Sequence, residues 1–169
     1  MMWSKLKQLT EARMAPTLAG RVELHSTRYP KADDGDVMGR GWITLDRREI
    51  ANFCDYSQQV QVYHRSVDAP SINYYQQLDA LRADGVLSRW DFHHSLWNAL
   101  SLSIDDLLMS KNIVLRGLAM TDRRLGKLRL GSMEIGPDEH PLVHLLYSVR
   151  CEVEGVRPTA PQALQPHSG

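Results

Sequence analysis

The chain has few cysteines, no long apolar run and no excess of either charge. Only two of its 169 residues are cysteines, Cys54 and Cys151, and they form no C-x-x-C pattern. Disulfide-rich domains and cysteine-based zinc sites need several cysteines at short spacings. We therefore expect a protein of a reducing compartment, with both thiols buried as small apolar groups.

Long apolar runs are missing as well. No stretch approaches the roughly 20 apolar residues that a membrane-spanning helix requires. The N-terminal stretch MMWSKLKQLTEARMAP has no apolar core of the kind found in a secretory signal. These observations predict a cytoplasmic protein without a membrane partner.

The charges balance, since 20 Lys and Arg residues face 20 Asp and Glu residues and the sequence pI is about 7.1. Nucleic-acid-binding domains commonly have a pI above ~9, so only a local basic patch stays open. The sequence also lacks a P-loop and the G-x-G-x-x-G, G-x-S-x-G, H-E-x-x-H, EF-hand and RNP-type motifs. We therefore predict no cofactor and no metal, and enzyme activity is disfavoured without being excluded.

The length and composition suit one globular domain. With 43% apolar and 24% charged residues, a chain of this length needs no disulfide or metal to fold. Residues 156–169 contain three prolines and little that can be buried. We expect a single domain over residues 1–155 and a disordered C-terminal tail over 156–169.

The first half predicts one helix and an antiparallel hairpin. Apolar residues at helical spacing predict a helix over Trp3–Arg13, capped by Ser4. Alternation predicts strands over Arg21–Tyr29 and Gly39–Asp46. Asp46 and Glu49 then resemble a capping box and predict a helix from about Arg47. A third strand is the alternative, because two arginines at 47 and 48 also suit a hairpin turn, and residues 58–65 fit either structure.

The second half is predicted to be helical. Four helices are expected, and their first residues or caps are Ser71, Ser88, Ser103 and Asp138. Trp90 and Trp97, seven residues apart, predict a core stripe on the second of these helices. The third is expected to run into residues 122–130, with Gly126 as a bend or end. The fold class is therefore α+β, with an N-terminal helix and an antiparallel hairpin or small sheet packed on a helical C-terminal half.

The stretch DRRLGKLRL, residues 122–130, is the first candidate site. On a helix, Asp122 shares the apolar face of Leu125, with Leu128 close to it, so we predict a buried carboxylate in a structural ion pair. Its partner is expected to be Arg129 or an arginine of another element, such as Arg150 or Arg21. The candidate binding cations for a phosphate or an acidic partner are Arg123, Arg124 and Lys127, with Arg129 beside them. The alternative is that these cations complement a helix C-terminus.

The outer face of the hairpin is the second candidate. Its candidate binding residues are Glu23, His25 and Trp42, with Trp42 as the best anchor for a partner. The same pattern is typical of the solvated face of an antiparallel sheet. Catalysis by His25 with Glu23 requires a cleft that the sequence does not supply. His93 and His94 splay by about 100° on a helix, which favours packing or surface roles over a shared metal.

Several blocks resemble an uncharacterised family of small bacterial cytosolic proteins. They are WSKLK, RVELHSTRY, WITLD followed by Glu49, LAMTDRRLGKLRL and EHPLVHLLYSVR. The recurring patterns are RVE-x-H-x-T-x-Y, DRR-x-GK-x-R and HP-x-V. The resemblance covers about residues 3–53 and 114–151, is poor between them, and implies a shared fold without a catalytic residue.

Three functional hypotheses remain. The first is a cytosolic binding or accessory module that acts through protein–protein contacts. The second is a binder of RNA or of a phosphorylated small molecule through residues 123–129. The third is an enzyme without a recognised motif, which a pocket uniting Glu23, His25 and Asp122 would indicate.

Overall fold

The computed structural model describes residues 2–29, 38–68 and 71–157. It contains a three-stranded sheet and eight α-helices within these ranges, and its class is α+β as the sequence predicts. In chain order the elements are α1 (Trp3–Glu11), a 3₁₀ turn (Pro16–Leu18), β1 (Val22–Arg28), β2 (Gly39–Leu45), β3 (Arg48–Cys54), α2 (Asp55–Asp68), α3 (Tyr74–Ala83), α4 (Arg89–Ala99), α5 (Ile104–Met109), α6 (Ile113–Thr121), α7 (Lys127–Ser132) and α8 (Pro141–Glu154).

The sheet is antiparallel with the order β1-β2-β3. The helix expected from Arg47 is wrong, and the alternative third strand is present. Asp46 and Arg47 form the two-residue turn between β2 and β3, both with positive φ, 49° and 67°. Such turns match the twist of paired strands. The Asp46 carboxylate binds Arg21 at 2.7 and 2.9 Å, so it does not cap a helix.

One face of the sheet packs on α1 and α4. Val22, Leu24, Ile43 and Phe53 point into this core and are nearly inaccessible to solvent. Gly41 also faces inward, and a β-carbon there would lie 2.3 Å from Cδ1 of Phe92 on α4. The absence of a side chain at position 41 therefore sets how closely α4 approaches β2.

The core stripe predicted for α4 is wrong. Trp90 and Trp97 are 68% and 49% exposed, whereas Phe92 and Leu96 are fully buried. Both sets recur at helical spacing, so periodicity alone does not choose between them. The contact with β2 selects the Phe92 side of the helix.

The remaining helices differ from the prediction at their ends. Ser103 caps a helix as expected, but that helix ends at Met109, and Asn112 caps the separate helix α6. Helix α6 ends at Thr121, before residues 122–130. Gly126 is the N-terminal cap of α7, so it marks a beginning and not an end.

The caps of three more helices were predicted at the wrong residues. Helix α1 starts after Met2 without a cap from Ser4. Helix α3 starts at Tyr74 with an Asn73 cap, not at Ser71. Helix α8 is capped by His140, whose Nδ1 accepts a hydrogen bond from Leu142, and not by Asp138.

The predicted tail lies mostly outside the described residues, which end at Arg157. Val156 belongs to the packed structure, because its amide donates to the carbonyl of Cys151 at 2.9 Å and its side chain packs against the core. For residues 158–169 the expected tail stays a prediction, because they lie outside the described residues. Within the described ranges, no helix is both long and apolar enough to span a membrane.

We expect Gly41→Ala to destabilise the protein by ~1–3 kcal/mol, because the added methyl group overlaps the Phe92 ring. Thermal unfolding measures the effect as a fall of several degrees in Tm. Gly136→Ala is the matched control, since a β-carbon at that exposed position meets nothing within 4 Å. Equal Tm values for the two variants would contradict the close approach of α4.

Candidate functional site

The outer face of the sheet carries a connected set of polar and aromatic side chains. His25 lies opposite Trp42, and their rings stack with centroids 5.0 Å apart. The Arg40 guanidinium lies 4.4 Å from the Trp42 ring centroid and also donates to Glu49 at 3.0 Å. Trp42 is therefore partly covered by neighbours from its own sheet.

His25 and Glu23 are adjacent on this face but only loosely paired. His25 Nε2 lies 3.0 Å from the Thr44 hydroxyl and 3.9 Å from the Glu23 carboxylate. The pocket that would have indicated an enzyme requires Asp122 as well. Asp122 follows α6, where its backbone pairs with Met14 in an isolated β-bridge and its carboxylate binds Arg124, so none of these contacts is with Glu23 or His25.

Asp122 is buried, with 4% of its surface exposed. Its carboxylate accepts hydrogen bonds from the Arg124 side chain at 2.7–3.1 Å and from the Arg124 amide at 2.8 Å. The partner is thus Arg124, and not Arg129, Arg150 or Arg21. The chain leaves the helix at Asp122, so residues two apart meet in a turn.

Most cations of residues 122–130 are held by other parts of the chain. Arg124 also donates to the carbonyl of Leu102 at 2.9 Å. Lys127 lies 3.1 Å from the Glu154 carboxylate, and Arg129 binds Asp105. Among the residues that the structure describes, the Arg123 side chain has no acidic partner. A phosphate at this segment would have to displace carboxylates from the other three cations.

The backbone at the start of the same segment is bound to the turn that follows α1. The Ala15 amide donates to the Thr121 carbonyl at 2.8 Å, and the Arg123 amide donates to the Arg13 carbonyl at 2.9 Å. Leu125 is fully buried, as expected, whereas Leu128 is 93% exposed and its predicted core position is wrong. Leu128 lies on the separate helix α7, so the apolar face predicted for one continuous helix does not extend to it.

A cleft that the sequence does not reveal lies between the start of α1, the end of β1 and α4. Its volume is about 670 Å³, and its lining is Met2, Trp3, Ser26, Thr27, Arg28, Arg89 and His93. The rings of Trp3 and His93 stack with centroids 4.7 Å apart. His93 Nε2 lies 2.8 Å from the Ser26 hydroxyl. Two elements near the N-terminus, α1 and β1, therefore meet the much later helix α4 here.

The electrostatics of this cleft keep His93 neutral. Burial, and to a smaller extent the nearby Arg89 and Arg28 against the opposing effect of Asp55, lowers the pKa of His93 from 6.5 to about 4. Arg89 is itself buried and donates through Nε to Asp55 at 3.2 Å. The cleft is therefore a region of positive potential with a neutral imidazole in its wall.

The exposed side of α4 is a second feature that the sequence did not assign. Trp90, His94 and Trp97 follow one another at helical spacing, and all three are exposed. Trp90 lies between two clefts. One, of about 290 Å³, is also lined by Val62 and Tyr74. The other, of about 550 Å³, is lined by the residues Arg82, Ala83, Leu87, Trp90, Asp91, His94, Ser95, Asn98, Lys111 and Asn112.

A buried carboxylate fixes the orientation of this helix face. Asp91 accepts hydrogen bonds from Ser88, from Gln58 of α2 at 2.9 Å and from Arg82 of α3 at 2.9 Å. Burial would raise the pKa of Asp91, but these hydrogen bonds outweigh it and hold the pKa below its usual value. The Ser88–Asp91 capping box is the sequence signal that could have predicted an exposed Trp90. It places position 91, and not position 90, against the neighbouring helices.

The fold and its surfaces define a small α+β protein with a one-sided antiparallel sheet and polar clefts at the edges of its helical layer. No group of three or more metal-ligating side chains comes together within the described parts of the chain. The sequence model of the SF0329 protein family, an uncharacterised family, matches residues 2–151, and the chain belongs to this family. Neither a search of curated proteins nor one of solved structures found a match.

We expect Asp122→Ala to cost ~1–3 kcal/mol, because the Arg124 amide loses its acceptor and the guanidinium loses its buried partner. The cost stays below that of a fully buried pair, since Arg124 is about one third exposed and water can reach it. Urea denaturation measures the change. Arg123→Gln, which alters an adjacent exposed cation, should leave the curve unchanged, and equal curves for both variants would remove the structural role of Asp122.

The pKa of His93 generates a pH-dependent stability. Between pH 6.5 and about 4 the unfolded chain binds a proton at position 93 that the folded chain does not bind. The free energy of unfolding should therefore fall as the pH is lowered through this window, and His93→Gln should reduce that slope. NMR titration of the His93 ring gives the pKa directly, and a value near 6.5 would be inconsistent with a desolvated ring.

Proposed function

We propose that the protein is an accessory module that acts through protein–protein contacts, and that its partner surface is the exposed side of α4 formed by Trp90, His94 and Trp97. The observation that carries this proposal is the 68% exposure of Trp90 on a helix whose opposite side is fully buried. Clustered exposed aromatic side chains mark interaction surfaces, and tryptophan is enriched among residues that dominate binding energy.

The two surfaces expected from the sequence support this function less well. Trp42 is stacked against His25 and Arg40, so a partner would gain less by covering it. The RNA or phosphate hypothesis needs free cations, but Arg124, Lys127 and Arg129 are neutralised by acids of the same chain. Trp90, by contrast, is 68% exposed.

The chemistry of the partner follows from the larger cleft beside Trp90. Its lining carries the cations Arg82 and Lys111 but a single carboxylate, Asp91, which Arg82 already binds at 2.8 Å. Lys111 is therefore the charge left to pair with a partner group. We infer that the partner presents an amphipathic segment, with an apolar side chain against Trp90 and a carboxylate near Lys111.

Site-specific photocrosslinking in the natural host tests the proposal. A benzoylphenylalanine residue replaces His94, which lies between the two tryptophans. The expected result is an adduct of one discrete mass with a different protein, which disappears when Trp90→Ala and Lys111→Glu are added. Both changes affect exposed positions, so thermal unfolding should stay close to that of the parent.

Two control positions make the result specific. The same photoreactive residue at Glu23 reports on the outer sheet face, and at Arg123 it reports on the basic segment. Adducts from either control position but not from position 94 would overturn the assignment of the surface. An adduct with the mass of two chains would identify a second copy as the occupant, and no adduct at any position would contradict a protein-binding role.

A further inference from the structure

We propose that the cleft between α1, β1 and α4 binds a small organic ligand through an oxyanion group, a carboxylate or a phosphate, held by Arg89 and Arg28. This inference is independent of the α4 partner surface. It rests on the unused donors of Arg89, on the net charge that Arg28 adds, on the side chains that line the cleft and on the volume of the cleft.

Arg89 is a buried cation with unused donors. Its surface is 7% exposed, and Asp55 accepts from Nε at 3.2 Å. In the described part of the chain, no acceptor is bound by its two terminal amino groups, and neither group is enclosed by protein. A guanidinium offers its remaining N–H groups as a planar fork that matches the two oxygens of a carboxylate or phosphate.

A glycine in strand β2 determines where the Arg89 side chain can lie. A β-carbon on Gly39 would lie 2.7 Å from Nε of Arg89, so the glycine leaves the space through which the arginine side chain passes. The contact with Asp55 then fixes the guanidinium from the other side. An arginine held in this way loses little rotational freedom when it binds a ligand.

The second cation gives the cleft its net charge. Arg28 ends β1 and is exposed, and it has no acidic partner within residues 2–29, 38–68 and 71–157. Asp55 is the only carboxylate that the structure pairs with either arginine in these ranges, so one positive charge is left over. His93 adds no charge at neutral pH. An oxyanion is therefore the group that would balance the lining.

The rest of the lining indicates a ligand larger than the anion itself. Trp3, stacked on the neutral His93 ring, forms an aromatic wall, and the Ser26 hydroxyl supplies a polar group beside it. The volume of about 670 Å³ is within the range of small-molecule sites. The ligand class is a small molecule with one oxyanion and a flat or apolar portion that contacts Trp3.

NMR titration of the full chain tests this inference, with inorganic phosphate in one arm and benzoate in the other. The expected result is saturable shifts of the Arg89 and Arg28 Nε–H signals and of the Trp3 indole signal. The bound anion should also raise the pKa of His93 from about 4. Saturation with phosphate alone identifies a phosphorylated ligand class, and saturation with benzoate alone identifies a carboxylate.

Matched arginine variants distinguish binding of the anion in this cleft from nonspecific screening of exposed arginines by the anion. Arg28→Gln, at an exposed position, should weaken the affinity about tenfold or more while leaving Tm unchanged. Arg123→Gln removes an exposed cation outside the cleft, one that no described acid pairs with, and should leave the affinity unchanged. Non-saturable shifts at all exposed arginines, no shift in either arm, or equal affinities for Arg28→Gln and the parent would overturn the proposal.

Discussion

The close approach of α4 to β2 is the constraint on which the other features depend. Phe92 occupies the space that a side chain at position 41 would fill, and its ring stacks on Phe53 of β3 with centroids 4.7 Å apart. Two buried aromatic rings contribute a large part of the apolar surface of a small core. Because protein interiors are close-packed, this contact fixes both the distance of α4 from the sheet and the rotation of the helix about its axis.

Because of that rotation, the side chains of α4 lie in three different environments. Successive side chains are about 100° apart, so with Phe92 facing the sheet, Trp90 must point away from it. His93 falls at the border, where the core ends and the cleft with Trp3 begins. Arg89, one turn before His93, reaches the same cleft beneath Gly39. A single packing contact therefore produces both the exposed aromatic surface and the positively charged cleft.

The fold was predictable where the pattern of apolar residues is compatible with only one secondary structure. Alternation placed β1 and β2 and paired them correctly, because a shift of one residue would have turned Ile43 toward solvent. It was not predictable where local signals compete. The residues after Leu45 suit a helix cap and a hairpin turn equally, and pairing with β2 decides for the turn. The spacing of Trp90 and Trp97 equals that of Phe92 and Ala99, so only contacts between elements choose the buried pair.

The candidate sites show the same division between local and tertiary causes. The cost of burying a lone carboxylate predicts an arginine beside Asp122 whatever the backbone does. Which arginine it is depends on the path of the chain after α6, and a turn brings Arg124 to the carboxylate where a continuous helix could not. The cleft is harder still to foresee, because Trp3, Arg28 and Arg89 come from three elements with no fixed spacing in sequence. The two basic regions differ in how many of their cations are paired with carboxylates. The cations Arg124, Lys127 and Arg129 are paired with carboxylates of the chain, whereas among the described residues Asp55 is the one carboxylate paired with an arginine of the cleft, and it binds Arg89.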